Sequence, residues 1–365
     1  MVLTQPSSPR TALWVVPVSD LAGVARHVLD VARNGIPGWR LVFLTPPGAL
    51  PTRLRGLGAF VHVAPFGPDH GLRASSAALR DVVRRERPAV VHSHLAYADI
   101  VVALAAGRQP RLATTEHGIA RDDVVYHRSG AKTRVMAAAH TARLRRFDAA
   151  IAVSRATAEA MVEKWRPPMS VAVIHNGVDR VSRLAPLAPQ PANGCTTGLR
   201  ILSLARLSPE KRLPLLLDGF AELHRSHPGA RLTLAGVGPE EAALRSQVAR
   251  LGLDEVVRLP GFVDPDAAMA EHDVLAMLSV WENCSYALLD AASRGMGVVA
   301  SDVGGNPEIL PPAALVEADD ATAVARALET QGLDLDARPG LDAWPSVADM
   351  CDRIAAVYDQ SGGRS

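Results

Sequence analysis

The chain reads as an α/β protein of two doubly wound parallel-sheet domains. Three observations predict this. Short β-branched runs alternate with longer segments of 3.6-residue apolar period from end to end. Strand–helix alternation of this kind builds parallel sheets with helices on both faces. Two such series are separated by RLAPLAPQPANGCTTG (183–198), rich in Pro, Ala and Gly and without either period, which reads as a linker. A length of 365 residues is long for one core and suits two of ordinary size.

The first residues, MVLTQPSSPR, lack a basic stretch followed by an apolar one, so they read as a loose tail and not a signal peptide. The expected strands of the first series are TALWVV (11–16), RLVFL (40–44), AVVHSH (89–94), RLATTEH (111–117), AAIAVS (149–154) and VAVIHN (171–176). Leu79, Val82 and Val83 mark a helix ahead of Pro88. The second series is RILSLA (200–205), RLTLAG (231–236), VVRLPG (256–261), DVLAML (273–278), GVVASD (297–302) and AALVE (313–317). Leu215, Leu216, Phe220 and Leu223 give the helix after its first strand. A closing helix is expected over 342–360, with Val347, Met350, Ile354 and Val357 on one side. The domains are therefore 1–182 and 199–341, with a segment 342–365 returning toward the first. Open α/β sheets bind ligands beyond the carboxyl ends of their strands, so a cleft between two sets of strand ends is expected.

Composition narrows the function. The net charge of +1 offers no basic stripe for nucleic acid. Cys195, Cys284 and Cys351 are odd in number and scattered, which excludes a disulfide framework and a CxxC metal or redox site and fits a reducing compartment. No apolar run reaches the ~18–20 residues that cross a bilayer. A cytoplasmic protein is expected, with peripheral contact at a membrane face left open.

The chemistry concentrates between Ile201 and Leu310. ILSLARLSPEKR carries Arg206 and Lys211, and SVWENCSYALLDAASRGMGVVASDVGGNPEIL carries Glu282, Asp290, Gly304, Gly305 and Glu308. Cations at a strand-to-helix turn suit a diphosphate, because a helix start adds unpaired N–H groups and partial positive charge. Carboxylates suit sugar diols, because one carboxylate accepts from both hydroxyls. Only Lys132, Lys164 and Lys211 are lysines among 39 basic residues, so a lysine at this turn is a departure from the chain's default cation. The bland readings are a solvated lysine and, for Asp290, a helix-surface acid. Elsewhere, His92 and His94 fall on one face of a strand end, but a lone HxH is weak evidence for a metal.

Across nearly the whole length the motifs resemble those of the retaining glycosyltransferases of family 4, which have the two-domain, Rossmann-like GT-B fold. AGVARHV (22–28), VVHSH (90–94), TTEHG (114–118), AVSRATAEAMV (152–162), VIHNGVD (173–179), ARLSPEKR, LAGVGPE, RLPGFV (258–263) and a Glu-x7-acid segment occur in the family's order. The resemblance implies transfer of a hexose from a nucleoside diphosphate sugar, UDP favoured, to a hydroxyl of a glycan or lipid-linked acceptor. It implies no metal and no cofactor. Arg206 and Lys211 would stabilise the leaving diphosphate, Glu282 would hold donor-sugar hydroxyls and Asp290 the ribose. His117 would face the donor sugar or reacting centre, with a structural strand-end histidine as the bland alternative. Gly23 and Gly236 would let backbone approach the donor, Phe262 and Val263 would lie by the nucleobase, and Asn283, Cys284, Ser285 and Tyr286 would line the diphosphate or sugar. The chain departs from the pattern with Asp290 for a second Glu, Ala22 for a first Gly, and Asn283–Tyr286 for a glycine-rich turn.

Arginines cluster in the first domain, Arg80, Arg84, Arg85 and Arg87 on one helix and Arg134, Arg143, Arg145 and Arg146 on another. They read equally as a membrane-facing patch or a solvated face. Two other classes remain open: a nucleotide-sugar 2-epimerase of the same architecture, and a non-catalytic binder of nucleotide sugar.

Overall fold

The structure, a computed structural model, describes residues 9–119, 140–179, 198–317 and 319–360. Linker residues 183–197, the tail 1–8, Lys132, Arg134 and Cys195 lie outside the described residues. The chain divides into two compact units, Met1–Gly177 with Pro345–Ser365, and Val178–Trp344.

The first unit carries a seven-stranded sheet of β1 (Arg10–Val15), β2 (Trp39–Thr45), β3 (Phe60–Val63), β4 (Val90–His94), β5 (Arg111–Glu116), β6 (Ala149–Ala152) and β7 (Val171–Val173). Its order is β3-β2-β1-β4-β5-β6-β7, with every pairing parallel. Among its helices are α1 (Gly23–Asn34), α2 (Ala49–Gly56), α3 (Gly71–Glu86), α4 (Ala96–Ala105) and α5 (Arg155–Trp165). Side-chain alternation along β1 explains the layers. Ala12, Trp14 and Val16 enter one apolar cluster with Val28 and Val31 of α1. Leu13 and Val15 enter another with Leu79 of α3 and Val101 of α4. A central strand buried on both faces is what helices on both faces require.

The second unit carries a six-stranded parallel sheet of β8 (Arg200–Leu204), β9 (Arg231–Ala235), β10 (Val257–Gly261), β11 (Val274–Met277), β12 (Gly297–Ser301) and β13 (Leu315–Val316), in the order β10-β9-β8-β11-β12-β13. With it come α6 (Leu213–Ser226), α7 (Glu241–Leu251), α8 (Pro265–Ala270), α9 (Tyr286–Ser293), α10 (Asn306–Ile309) and α11 (Ala321–Leu333). Ile201, Leu216, Phe220, Leu232 and Val324 are fully or nearly fully buried in its core.

The last helix, α12 (Val347–Asp359), belongs to the first unit. Its Val347, Met350, Ile354, Val357 and Tyr358 complete the cluster around Trp14. Close packing fixes its start, because a Cβ added to Gly177 would stand 2.4 Å from the Ser346 carbonyl oxygen.

Four expectations are corrected. The edge strand β3 was not anticipated: FVHV is short and leaves Phe60 60% exposed, so no buried run announces it. The closing helix begins at Val347 and not 342, where Ser346 and Asp349 form a reciprocal capping box just after Pro345. The AALVE run shortens to a two-residue strand after a 3₁₀ turn at Pro312–Ala314. Lys211 does not open an α-helix. It ends a 3₁₀ turn, Pro209–Lys211, and Arg212 adopts a left-handed conformation (φ 48°) before α6 begins at Leu213.

Strand order reverses between β1 and β4 in one sheet and between β8 and β11 in the other. Such switch points leave a crevice beyond the strand ends, where adjacent connections diverge.

Candidate functional site

In the second unit, both sides of the switch point carry charge. After β8, Ser208 and the 3₁₀ turn direct Lys211 across to the segment after β11. A backbone hydrogen bond from Val280 to the Glu210 carbonyl (2.9 Å) ties the two segments together. Lys211 Nζ then donates to Glu282 Oε1 at 2.6 Å and to Ser279 Oγ at 3.3 Å. The two side chains are only 23% and 17% exposed, so the pair is shielded and still reachable from solvent.

Two glycines hold Glu282 in place. Gly305 N–H donates to the Glu282 carbonyl at 2.9 Å. Gly304 has φ 54°, and a Cβ there would stand 1.9 Å from that same oxygen. Only glycine allows this approach.

Arg206 leaves the same strand end but does not join Lys211 and Glu282. It is 69% exposed and donates to Glu210 Oε1 at 2.9 Å, which also accepts from Ser208 Oγ at 2.6 Å. Burial raises the Glu210 pKa, but the bonds from Ser208 and Arg206 outweigh it and the net shift is downward. Asp290 lies five residues into α9, only 13% exposed, with Arg294 Nη1 4.0 Å away, so it is not a surface acid. Arg294 also pairs with Asp266. Cys284 is a buried thiol, while Asn283, Ser285 and Tyr286 are half-buried at the start of α9.

Gly236 closes the turn after β9. Its φ is 149°, and a Cβ there would stand 1.9 Å from the Ala205 carbonyl oxygen. It therefore permits close packing of the β9 end on the β8 end, beside Arg206. Beyond these strand ends, Phe262 is 83% exposed and Val237 57% exposed, and Val263 is half-buried. Gly236 N–H donates to the Gly261 carbonyl at 2.8 Å, which places the Phe262 and Val237 segments side by side. An exposed aromatic ring next to an exposed valine forms an apolar ledge that a flat base can stack on.

In the first unit, the strand ends gather histidines. His27 comes from α1, His94 ends β4, and His117 follows β5. One ring nitrogen from each lies within 4.8 Å of the others, and His94 Nδ1 is 2.9 Å from His117 Nε2. His27 Nδ1 meets Asn176 Oδ1 at 3.2 Å. His92, the other half of the HxH pair, turns to different partners: Tyr358 hydroxyl on Nδ1 at 2.5 Å and Thr115 Oγ1 on Nε2 at 2.8 Å. Trp14 Nε1 also donates to the Tyr358 hydroxyl, at 2.9 Å. Burial pushes His27 down to about 4 despite its bond to Asn176, and burial with the nearby His27 pushes His92 to about 3. Burial and neighbouring histidines hold His94 and His117 well below the usual range. All four rings are therefore neutral near pH 7.

Sequence reasoning named His117, His92 and His94 but not His27. The available signal was spacing: His27 stands three residues after Val24 and four before Val31, on the apolar stripe of α1. Gly23, at the start of that helix, would meet nothing within 4 Å if it carried a Cβ, so its surroundings are open. Ala22 supplies no side-chain cap.

The expected basic face is partly dismantled. Arg143 is 4% exposed, lying 3.2 Å from Asp99 and 3.4 Å from Glu116, and its guanidinium stacks over Trp165. Burial pushes Glu116 up to about 7 in spite of that cation. Arg84 and Arg85 both pair with Asp81, at 2.6 and 2.7 Å. Among the described residues, no helix is long and apolar enough to cross a membrane.

Comparison with known proteins agrees with the fold. The family model described as Glycosyltransferase Family 4 matches residues 21–181, and that described as Glycosyl transferases group 1 matches residues 198–331. Glycogen synthase of Mycobacterium tuberculosis is 29% identical over 227 residues, covering 61% of this chain and 54% of its own. A phosphatidylinositol N-acetylglucosaminyltransferase subunit of Arabidopsis thaliana is 28% identical over 259 residues, covering 69% and 56%. The chain thus spans about half the length of the curated relatives it matches. Among solved structures, Anabaena Alr3699/HepE in complex with UDP and glucose superposes with a TM-score of 0.73 at 22% identity, covering 95% of each chain. The same protein in complex with UDP-glucose gives a TM-score of 0.73.

Proposed function

The chain belongs to the family 4 glycosyltransferases, and on that premise we propose that it transfers a hexosyl group from a nucleoside diphosphate sugar to an acceptor hydroxyl on a glycan or lipid-linked sugar. Transfer proceeds with retention of anomeric configuration and with no metal at the diphosphate. The observation that carries this reading is the Lys211–Glu282 pair across the β8/β11 switch point.

As the bond between the sugar and the diphosphate breaks, negative charge grows on the bridging oxygen. Lys211, fixed in a half-buried site, stabilises that charge more than it stabilises the bound donor, which is the condition for lowering the barrier. When Lys211 turns to the diphosphate, Glu282 is released to accept from sugar hydroxyls. Arg206, exposed on the same strand end, adds a second cation once it leaves Glu210. Phe262 and Val263 take the base and Asp290 the ribose, while Asn283–Tyr286 line the diphosphate or sugar. His117, as a neutral imidazole, orients the sugar or acceptor hydroxyl beside Gly23. The leaving diphosphate takes the acceptor proton. UDP is favoured because the solved neighbours named above hold UDP and UDP-glucose. Buried thiols at Cys284 and Cys351 fit a reducing compartment, and the reading places the protein in the cytoplasm.

Lys211→Ala tests the central claim. It should lower kcat by ~10²–10³, while thermal shifts with UDP, GDP, ADP and their sugar conjugates identify the donor. Equal turnover in parent and variant would remove Lys211 from the chemistry.

A further inference from the structure

We propose that His27, His94 and His117 together hold a divalent transition-metal ion, with zinc as the reference ion. Each offers one nitrogen, and the three lie within 4.8 Å of one another. This goes beyond the transfer reading, which needs no metal and places its charge stabilisation in the other unit.

Three features point to a ligand. First, His27 Nε2 is buried and has no hydrogen-bond partner among the described residues. A buried nitrogen left without a partner is unfavourable, so it calls for a ligand. Second, the His27 tautomer is fixed from behind. The Asn176 amide oxygen can only accept, so His27 Nδ1 carries the proton and Nε2 is left with its lone pair. A ring that donates its second N–H to an oxygen while aiming its lone pair inward is the usual arrangement of a metal-bound histidine. Third, the donor set is three imidazoles with no carboxylate. That set suits zinc, cobalt, nickel or copper and not magnesium or calcium.

The dimensions are compatible. Zinc–nitrogen bonds of about 2.0–2.1 Å put tetrahedral ligands roughly 3.4 Å apart. The pair at 2.9 Å opens slightly. The remaining separations, at most 4.8 Å, close by small rotations of the rings. Three protein ligands leave a fourth position for water or a hydroxyl.

The test uses untagged full-length protein, stripped with chelator and titrated with Co²⁺ in the visible range and Zn²⁺ by calorimetry. One equivalent of each should bind, with Co²⁺ giving the intense d–d bands of tetrahedral coordination. His117→Ala and His27→Gln should each abolish those bands and weaken binding at least about tenfold, and Asn176→Ala should weaken it about 10–100-fold. His70→Ala, an exposed position elsewhere in the same unit, should change nothing. Circular dichroism establishes that each variant is folded, and His117→Ala alone decides the matter if His27→Gln is not. Absence of saturable binding, or binding that survives His117→Ala, overturns the proposal. Neither result bears on the nucleotide reading, which is measured separately through Lys211 and UDP.

Discussion

Lys211 Nζ stands 2.6 Å from Glu282 Oε1, and under the proposed function a donor has to separate them. That exchange predicts a split between the two positions. Lys211→Ala removes charge needed as the bond breaks and falls mainly on kcat. Glu282→Gln keeps a hydrogen-bonding group but loses the carboxylate, so kcat/KM should fall with a rise in KM, measured by initial rates against donor concentration. Asp290→Glu should be tolerated or should tighten donor binding, since the longer acid reaches further from the start of α9 toward the proposed ribose position. Complete loss of activity would mean the pocket has been rebuilt around the shorter acid. Rarity made Lys211 legible in the sequence, as one of three lysines among 39 basic residues. Arg206 was equally legible as a strand-end cation, but its pairing with Glu210 depends on a 3₁₀ turn that no apolar period signals. His27 escaped because a buried histidine on an apolar stripe resembles ordinary core until its neighbours in space are known.

At the scale of elements, the central strands were legible because they are buried on both faces and spell continuous apolar runs. Edge strand β3 has no such run, and the true start of α12 is set by a capping box rather than by apolar spacing. Tight contacts between elements were the least visible. Gly304 was noticed as a turn glycine, yet its place against the Glu282 carbonyl comes from the meeting of two strand ends. Gly304→Ala should therefore lower the melting temperature and weaken UDP binding, read by thermal shift with and without nucleotide. A variant that melts like the parent and binds normally would show that the turn relaxes freely. Tyr358→Phe removes the hydroxyl shared by Trp14 Nε1 and His92 Nδ1. Leaving those buried groups without it should cost about 1–3 kcal/mol in denaturant unfolding, followed by Trp fluorescence.

For the whole molecule, two compact units with separate cores predict more than one unfolding component in calorimetry. UDP at about 100 times its Kd should raise its own component by about 2.7 kcal/mol, since Lys211, Phe262, Val263 and Asp290, proposed to hold it, lie in Val178–Trp344. A single transition shifted as one would instead mean that the units unfold cooperatively.

The passage of the chain out of the first unit and back has a further consequence, for the order of events during synthesis. The cluster around Trp14 lacks Met350, Ile354, Val357 and Tyr358 until residues 347–359 have been made. Domains generally fold as the ribosome delivers them, N-terminal first. Here the later-made Val178–Trp344 unit has its whole sheet before the earlier one can close. The nascent first sheet waits through about 170 further residues with one apolar face covered only in part, by α1 and α2. It is therefore the part of the newborn chain with most need of a chaperone.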